Sequence, residues 1–90
     1  MTLGAKTTHS SEVFEINGRK QRYAIVVLPI HDHEYTRDEM TFACVQRLEE
    51  ETNRWLIDEN TMTQNENQLA RIMTMDTQRI MNEIARKAQA

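Results

Sequence analysis

Apolar and β-prone residues at the start of the chain follow a strand pattern that is interrupted by one tight turn. Runs at 13–16 and 19–28 flank the pair Asn17-Gly18. An Asn-Gly pair between two such runs favours a type I′ turn, because both central positions of that turn need a positive φ. The turn sets Phe14 opposite Gln21. The sequence therefore predicts a β-hairpin whose second strand is longer than its first.

Two later segments have the apolar spacing of three and four residues that is typical of amphipathic helices. The pattern predicts one helix at about 37–58 after a capping box at 36–39, and a second at about 64–87 after a capping box at 63–66. The first stripe consists of Met40, Ala43, Cys44, Leu48, Trp55 and Leu56, and the second of Leu69, Ile72, Met73, Asp76, Ile80, Ile84 and Ala88.

The predicted fold class is α+β, with a β-hairpin followed by two amphipathic antiparallel helices in the order ββαα. Residues 1–11 have no periodicity, so we expect a flexible N-terminal tail followed by a single domain at 12–88. Each predicted helix has one apolar stripe, and the hairpin is apolar on one side. The packing of these surfaces against each other defines the expected core.

The chain has 90 residues and a single cysteine, so a monomer has no internal disulfide and little core. We therefore expect a homodimer or higher oligomer, formed through the helices and, for the unpaired end of the second strand, through strand pairing. The residues predicted at the oligomer interface are Trp55, Leu69, Ile72, Met73, Asp76, Ile80 and Ile84.

Asp76 interrupts the second apolar stripe and has three open interpretations. A polar residue at such a position fixes the register of an interface in well-studied cases, because an unpaired carboxylate there costs free energy. It also fits an exposed edge of the stripe or a ligand site. Arg71 and Arg79 lie within two helical turns and are its candidate partners.

The formal net charge of −3 argues against a protein that mainly binds nucleic acid, because phosphate binding needs a positive surface. The local basic cluster Arg19, Lys20 and Arg22 is instead a candidate protein-binding surface. No apolar run approaches the roughly 20 residues that span a bilayer, so no membrane partner is expected. The lone thiol fits a reducing compartment, and the expected location is cytoplasmic.

Catalytic and metal chemistry have few candidate residues. His31 and His33 alternate along an extended connector, where His9 or Glu34 is a candidate third metal ligand, although a solvated loop is the simpler interpretation. Cys44 lies among apolar residues, which favours core packing over nucleophilic chemistry. The sequence therefore predicts a protein that is not an enzyme and has no cofactor.

The hairpin Phe14-Glu15-Ile16-Asn17-Gly18-Arg19, the first amphipathic helix, and the second helix opening Gln64-Asn65-Glu66-Asn67-Gln68-Leu69-Ala70 together resemble the ZapA family of cell-division proteins. The resemblance covers residues 13–87. It implies a head domain that dimerises, and an assembly that bundles filaments of the tubulin-like protein FtsZ. Arg19 matches the family's basic residue after the turn glycine and Glu66 its acidic residue that opens the second helix, so these two are expected at the partner contact.

The predicted function is thus that of a non-catalytic oligomeric adaptor of the ZapA type that binds FtsZ. One alternative is a small phage-type oligomeric inhibitor or nucleotide-sequestering protein that acts on a host factor. In that alternative Arg71, Arg79 and Arg86 converge on a pocket between subunits and bind phosphate. Another is a metal-dependent function through His31 and His33.

Overall fold

The fold is an antiparallel β-sheet with one C-terminal helix. The structure is a computed structural model that describes residues 5–33 and 36–89, and the side chains of all of these except 30–33 and 36–38. The sheet has five strands in the order β1-β3-β4-β5, with β2 also paired to β3. The elements are β1 (Lys6–Ser10), β2 (Phe14–Ile16), β3 (Arg19–His33), β4 (Thr36–Glu49), β5 (Arg54–Thr63) and α1 (Glu66–Gln89).

The predicted hairpin is confirmed as the pair β2 and β3. Asn17 has a φ of 53° and Gly18 a φ of 77°, as a type I′ turn requires. Phe14 pairs with Gln21, which is the predicted register. The turn chemistry of two residues therefore determines the pairing of this part of the sheet.

The flexible tail predicted at 1–11 is wrong for Lys6–Ser10, which form β1. This strand pairs antiparallel with β3 on the same edge as β2, from Lys6 opposite Val27 to Ser10 opposite Ala24. It supplies, within the chain, the partner that the long second strand was expected to find in another copy. All five residues of β1 are exposed or only partly covered, which is compatible with their polar side chains.

A short break separates β1 from β2 and is held by one serine. The Ser11 backbone N–H donates to the Tyr23 carbonyl oxygen at 2.8 Å. The Tyr23 backbone N–H donates in return to Ser11 Oγ at 2.9 Å, so a side-chain hydroxyl replaces a strand carbonyl. Ser11 is buried, and both halves of its pairing are satisfied at the break.

The helix predicted at 37–58 is wrong, because these residues form most of β4, a turn and the start of β5. Met40, Cys44 and Leu48 are spaced by four, which fits a helical stripe and also fits every second residue of a strand. The intervening Phe42 and Gln46 complete that alternation, and β3 offers β4 a long partner. The predicted ββαα fold with two antiparallel helices is therefore wrong for this chain, and so is the coiled coil expected of a ZapA-like protein.

The second predicted helix is confirmed as α1, with a different cap. Asn65 Oδ1 accepts hydrogen bonds from the backbone N–H groups of Asn67 at 2.9 Å and Gln68 at 3.2 Å. Asn65 is therefore the N-cap residue. The capping box predicted at Thr63 is wrong, because the Thr63 hydroxyl accepts from the Asn65 N–H one residue outside the helix.

The sheet has two differently covered faces. On the helix face, Ile25 and Ala43 pack against Ile72 and Leu69 of α1. The other face holds a second core cluster, formed by Ala24, Val26 and Cys44 with Phe42, Ile57 and Met62. Because α1 covers only the first face, the second must be covered by the sheet itself.

Curvature of the sheet covers that second face. Gln46 Nε2 on β4 donates to Thr7 Oγ1 on β1 at 2.9 Å, across the intervening strand β3. A cavity of about 390 Å³ is bordered by Ala5 and Thr7 at one end and by Trp55 and Ile57 of β5 at the other. The two outer strands therefore approach each other, and we refer to this side as the concave face.

An ion pair fixes α1 to the sheet at the end of β1. Arg79 Nη2 lies 2.6 Å from Asp76 Oδ1, and Arg79 Nε also donates to the Ser10 carbonyl oxygen at 2.9 Å. The side chains of Asp76 and Arg79 are 10% and 26% exposed, whereas that of Glu83, which pairs with Arg79 Nη1 at 3.0 Å, is 50% exposed. The interpretation of Asp76 as an exposed edge is therefore wrong, and its predicted partner Arg79 is confirmed.

We expect Asp76→Asn to destabilise the fold by about 1–3 kcal/mol, because it removes the buried negative charge that pairs with Arg79 and orients it towards Ser10. Glu83→Gln is the matched control, since it neutralises the exposed partner of the same arginine and should change stability by about 0.5 kcal/mol or less. Urea unfolding followed by circular dichroism measures both. Equal losses in the two variants would show that the buried pair does not hold the helix.

Candidate functional site

The outer side of α1 carries large apolar residues that the sheet does not cover. Met73, Ile80, Met81 and Ile84 are 46%, 43%, 58% and 62% exposed. Helical spacing places Met73, Ile80 and Ile84 along one line, with Met81 beside it. We call these four residues the outer strip. Large apolar side chains that adjoin on a surface mark an interaction site more often than scattered ones do.

The predicted interface stripe is therefore divided by the structure. Leu69 and Ile72 contact the sheet, and Asp76 is buried beside them. Met73, Ile80 and Ile84 remain at the surface. Trp55 lies on β5, where its register with Leu48 places it on the concave face, on the other side of the sheet from α1.

Opposite charges mark the two ends of α1. Glu66 lies in its first turn, and Arg86 and Lys87 lie in its last turn. Each charge is favourable with respect to the helix dipole of its own chain. They also give the exposed side of the helix an acidic end and a basic end.

A polar cluster that the sequence did not indicate lies on the concave face. Arg22 Nε donates to Gln46 Oε1 at 2.7 Å, and the Arg22 guanidinium carbon lies 4.3 Å from the centre of the Trp55 ring. Gln46 is 2% exposed. Its amide nitrogen donates to Thr7, so both the oxygen and the nitrogen of the buried amide have a hydrogen-bond partner. Burial lowers the pKa of Arg22, and the positive charge of Arg79 lowers it further.

The residues predicted to bind a partner are separated in the structure. Arg19 and Lys20 are exposed directly after the hairpin turn, whereas Arg22 is half-buried in the concave-face cluster. Glu66 is exposed at the start of α1. Within the described residues, no hydrogen bond or ion pair connects Glu66 to this basic cluster. Arg19 and Glu66, which the family resemblance assigned to the partner contact, thus lie on different elements, β3 and α1.

Two of the three arginines of the nucleotide-binding alternative do approach each other. Arg79 and Arg86 line a cavity of about 440 Å³ together with Arg22. Arg71 is exposed at a different position on α1 and does not line this cavity. The cavity lies within one chain, so the predicted pocket between subunits is not needed to bring the arginines together.

The metal alternative falls on His31 and His33, whose side chains lie outside those described. Among the residues that the structure describes, no three histidine, cysteine, aspartate or glutamate side chains come together as a metal site would require. Cys44 is buried in the concave-face core, which confirms its predicted packing role. Burial is the main cause that raises the pKa of its thiol from 9.0 to about 11.

Over the described residues, the fold and these surfaces define a small β-sheet protein with one covering helix that carries an exposed apolar strip. In the part of the chain that is described, no helix is both long and apolar enough to cross a membrane. Comparisons with protein-family models, curated proteins and solved structures found no match. The ZapA family membership and the FtsZ partner therefore stay predictions, and the two-helix layout that suggested them is absent from the described residues.

The buried thiol of Cys44 should react slowly with a disulfide reagent such as Ellman's reagent at pH 8, because it is covered and protonated there. The folded chain holds this proton more tightly than the unfolded chain, so stability should fall as the pH rises from about 9 to about 11. Comparing the rate at which the protein reacts with Ellman's reagent in native buffer and in urea tests the predicted slow reaction of the buried thiol. A native protein that reacts as fast as the protein in urea would contradict the burial of the Cys44 thiol.

Proposed function

We propose that this chain is a non-catalytic interaction protein that associates with a second copy of itself through the outer strip of α1. The observation that carries the proposal is the exposure of Met73, Ile80, Met81 and Ile84 on one side of a helix whose other side is already used by the sheet. Each of these side chains is about half covered, so removing the rest from water contributes about 1 kcal/mol per residue.

The small size of the core supports this proposal. Among the described side chains, the fully covered apolar residues form two small clusters, one on each face of the sheet. The outer strip adds side chains of similar size that have no cover within the chain. Association of two copies would extend the helix-face cluster through α1, which is how small domains often obtain a sufficient core.

The charges of α1 favour an antiparallel arrangement of the two copies. In that arrangement Glu66 at the acidic end of one helix lies near Lys87 at the basic end of the other, and the same contact recurs at the opposite end. The two helix dipoles are then also antiparallel. A two-fold axis near the middle of the outer strip generates this arrangement, as in most homodimers.

A binding role rather than catalysis is supported by the state of the groups that could transfer protons or attack a substrate. The Cys44 thiol is buried with a raised pKa, and the Asp76 carboxylate is occupied by Arg79. A reducing, cytoplasmic location is part of this proposal because it would keep the lone thiol free. The proposal names a second copy as the partner and does not require FtsZ.

Replacing Ile80 by lysine should weaken self-association at least about tenfold, because it places a charge in the centre of the buried strip. Ala85→Lys is the matched control, since Ala85 is exposed about 140° around the same helix from Ile80, at the margin of the outer strip beyond Met81. Sedimentation equilibrium at micromolar concentration should find dimers for the parent chain and Ala85→Lys, and mainly monomers for Ile80→Lys.

Circular dichroism and the thermal midpoint of each variant show whether the monomeric fold is kept. A parent chain that remains monomeric up to several hundred micromolar would refute the proposal. Equal weakening by Ile80→Lys and Ala85→Lys would also refute the role of the outer strip, because a general charge effect would then explain the loss.

A further inference from the structure

Arg22 is held in one orientation on two sides while its terminal nitrogens remain available. Its Nε donates to Gln46 Oε1 at 2.7 Å, and Gln46 is itself buried and fixed by its bond to Thr7. The Trp55 ring, 4.3 Å from the guanidinium carbon, fixes the plane of the group. A guanidinium held in this way loses little further freedom when it binds a ligand.

The other arginines of the same cavity already have acidic partners. Arg79 pairs with Asp76 and Glu83, and Arg86 lies 3.5 Å from Glu12. Arg22 differs from both. Among the side chains that the structure describes, those of residues 5–29 and 39–89, no carboxylate lies within ion-pair distance of Arg22, and its Nη1 and Nη2 groups have no hydrogen-bond acceptor.

A half-buried guanidinium without a counter-ion carries an energetic cost that a bound anion would remove. Burial lowers the pKa of Arg22, and the nearby positive charge of Arg79 acts in the same direction. Burial disfavours the charged guanidinium and the like charge of Arg79 adds to that cost, so a bound anion would offset both effects. Glu12 and Glu83 also line the cavity, but each is engaged by Arg86 or Arg79, which reduces their repulsion of an incoming anion.

We propose that the Arg22 guanidinium, positioned by Gln46 and Trp55, is a binding site for an oxyanion, either a phosphate or a carboxylate group. The two Nη nitrogens form a fork that matches two oxygens of either group. The cavity of about 440 Å³ that Arg22 shares with Ser10 and Ser11 has room for such a group. The site lies within one chain, so it does not depend on self-association.

Trp55 gives a direct readout of this site because it is the chain's single tryptophan and it contacts Arg22. Inorganic phosphate and sodium acetate are titrated separately into the protein at pH 7, and sodium chloride at equal ionic strength is the reference. We expect a saturable change in Trp55 fluorescence with phosphate, with acetate or with both. Saturation with only one of them identifies which oxyanion the site takes.

Arg22→Gln should weaken oxyanion binding at least about tenfold, because it removes both the positive charge and the fork of two Nη donors. Arg22→Lys keeps the charge but loses the fork, so it should restore only part of the affinity and also covers the case in which Arg22→Gln does not fold. Arg47→Gln, which removes an exposed arginine on β4, is the control and should bind like the parent chain. Circular dichroism verifies the fold of each variant.

Three results would contradict the proposed oxyanion site at Arg22. One is the lack of a saturable change with either oxyanion, and another is an equal change with sodium chloride. The third is a folded Arg22→Gln or Arg22→Lys variant that binds as tightly as the parent chain. The oligomeric state is measured in the same samples, so a failed oxyanion site and a failed helix interface are distinguished from each other.

Discussion

The ion pair between Asp76 and Arg79 determines how the single helix lies on the sheet. Arg79 connects the Asp76 carboxylate to the Ser10 carbonyl oxygen, where β1 ends. This contact holds the side of α1 with Leu69 and Ile72 against the sheet, and the four residues of the outer strip consequently face outwards. The same constraint thus produces both the helix-face core and the outer strip.

The concave face shows how a sheet of this size covers its second side without another helix. The bond between Gln46 and Thr7 spans three strands, and Arg22 and Trp55 lie beside it. Near its end β5 departs from regular pairing, where the Val45 N–H donates to Thr61 Oγ1 at 2.8 Å. Such an irregularity bends an edge strand and disfavours its pairing with another strand.

The sequence predicted those elements that depend on local chemistry. A type I′ turn requires positive φ values at its two central positions, and Asn17 and Gly18 tolerate them, so these two residues identified the hairpin. The apolar stripe through Leu69 and Ile72 identified α1. The segment around Cys44 was misassigned because a spacing of four residues fits both a helix and a strand. The alternation Met40, Phe42, Cys44 and the asparagine at 53, a residue type that tolerates the positive φ observed there, were the signals that favoured a strand.

The candidate site was predictable only in part for a related reason. Ile80 and Ile84 were identified because an apolar stripe is visible in the sequence. The Arg22 cluster was not, because it combines Thr7, Gln46 and Trp55 from three other strands, and their proximity depends on strand order and sheet curvature. No pattern along the chain carries that information. His31 and His33 formed a visible motif, but their side chains fall outside the described part of the chain.

In the proposed dimer, the outer strips of two copies meet as an antiparallel pair. Thr77 is exposed near the middle of the strip and Ala88 near its end, whereas the native Cys44 is buried. In an antiparallel pair, Thr77→Cys should form an intermolecular disulfide under mild oxidation, while Ala88→Cys and the parent chain should not. Efficient cross-linking of Ala88→Cys, or no cross-linking of Thr77→Cys, would contradict the antiparallel pairing of the outer strips.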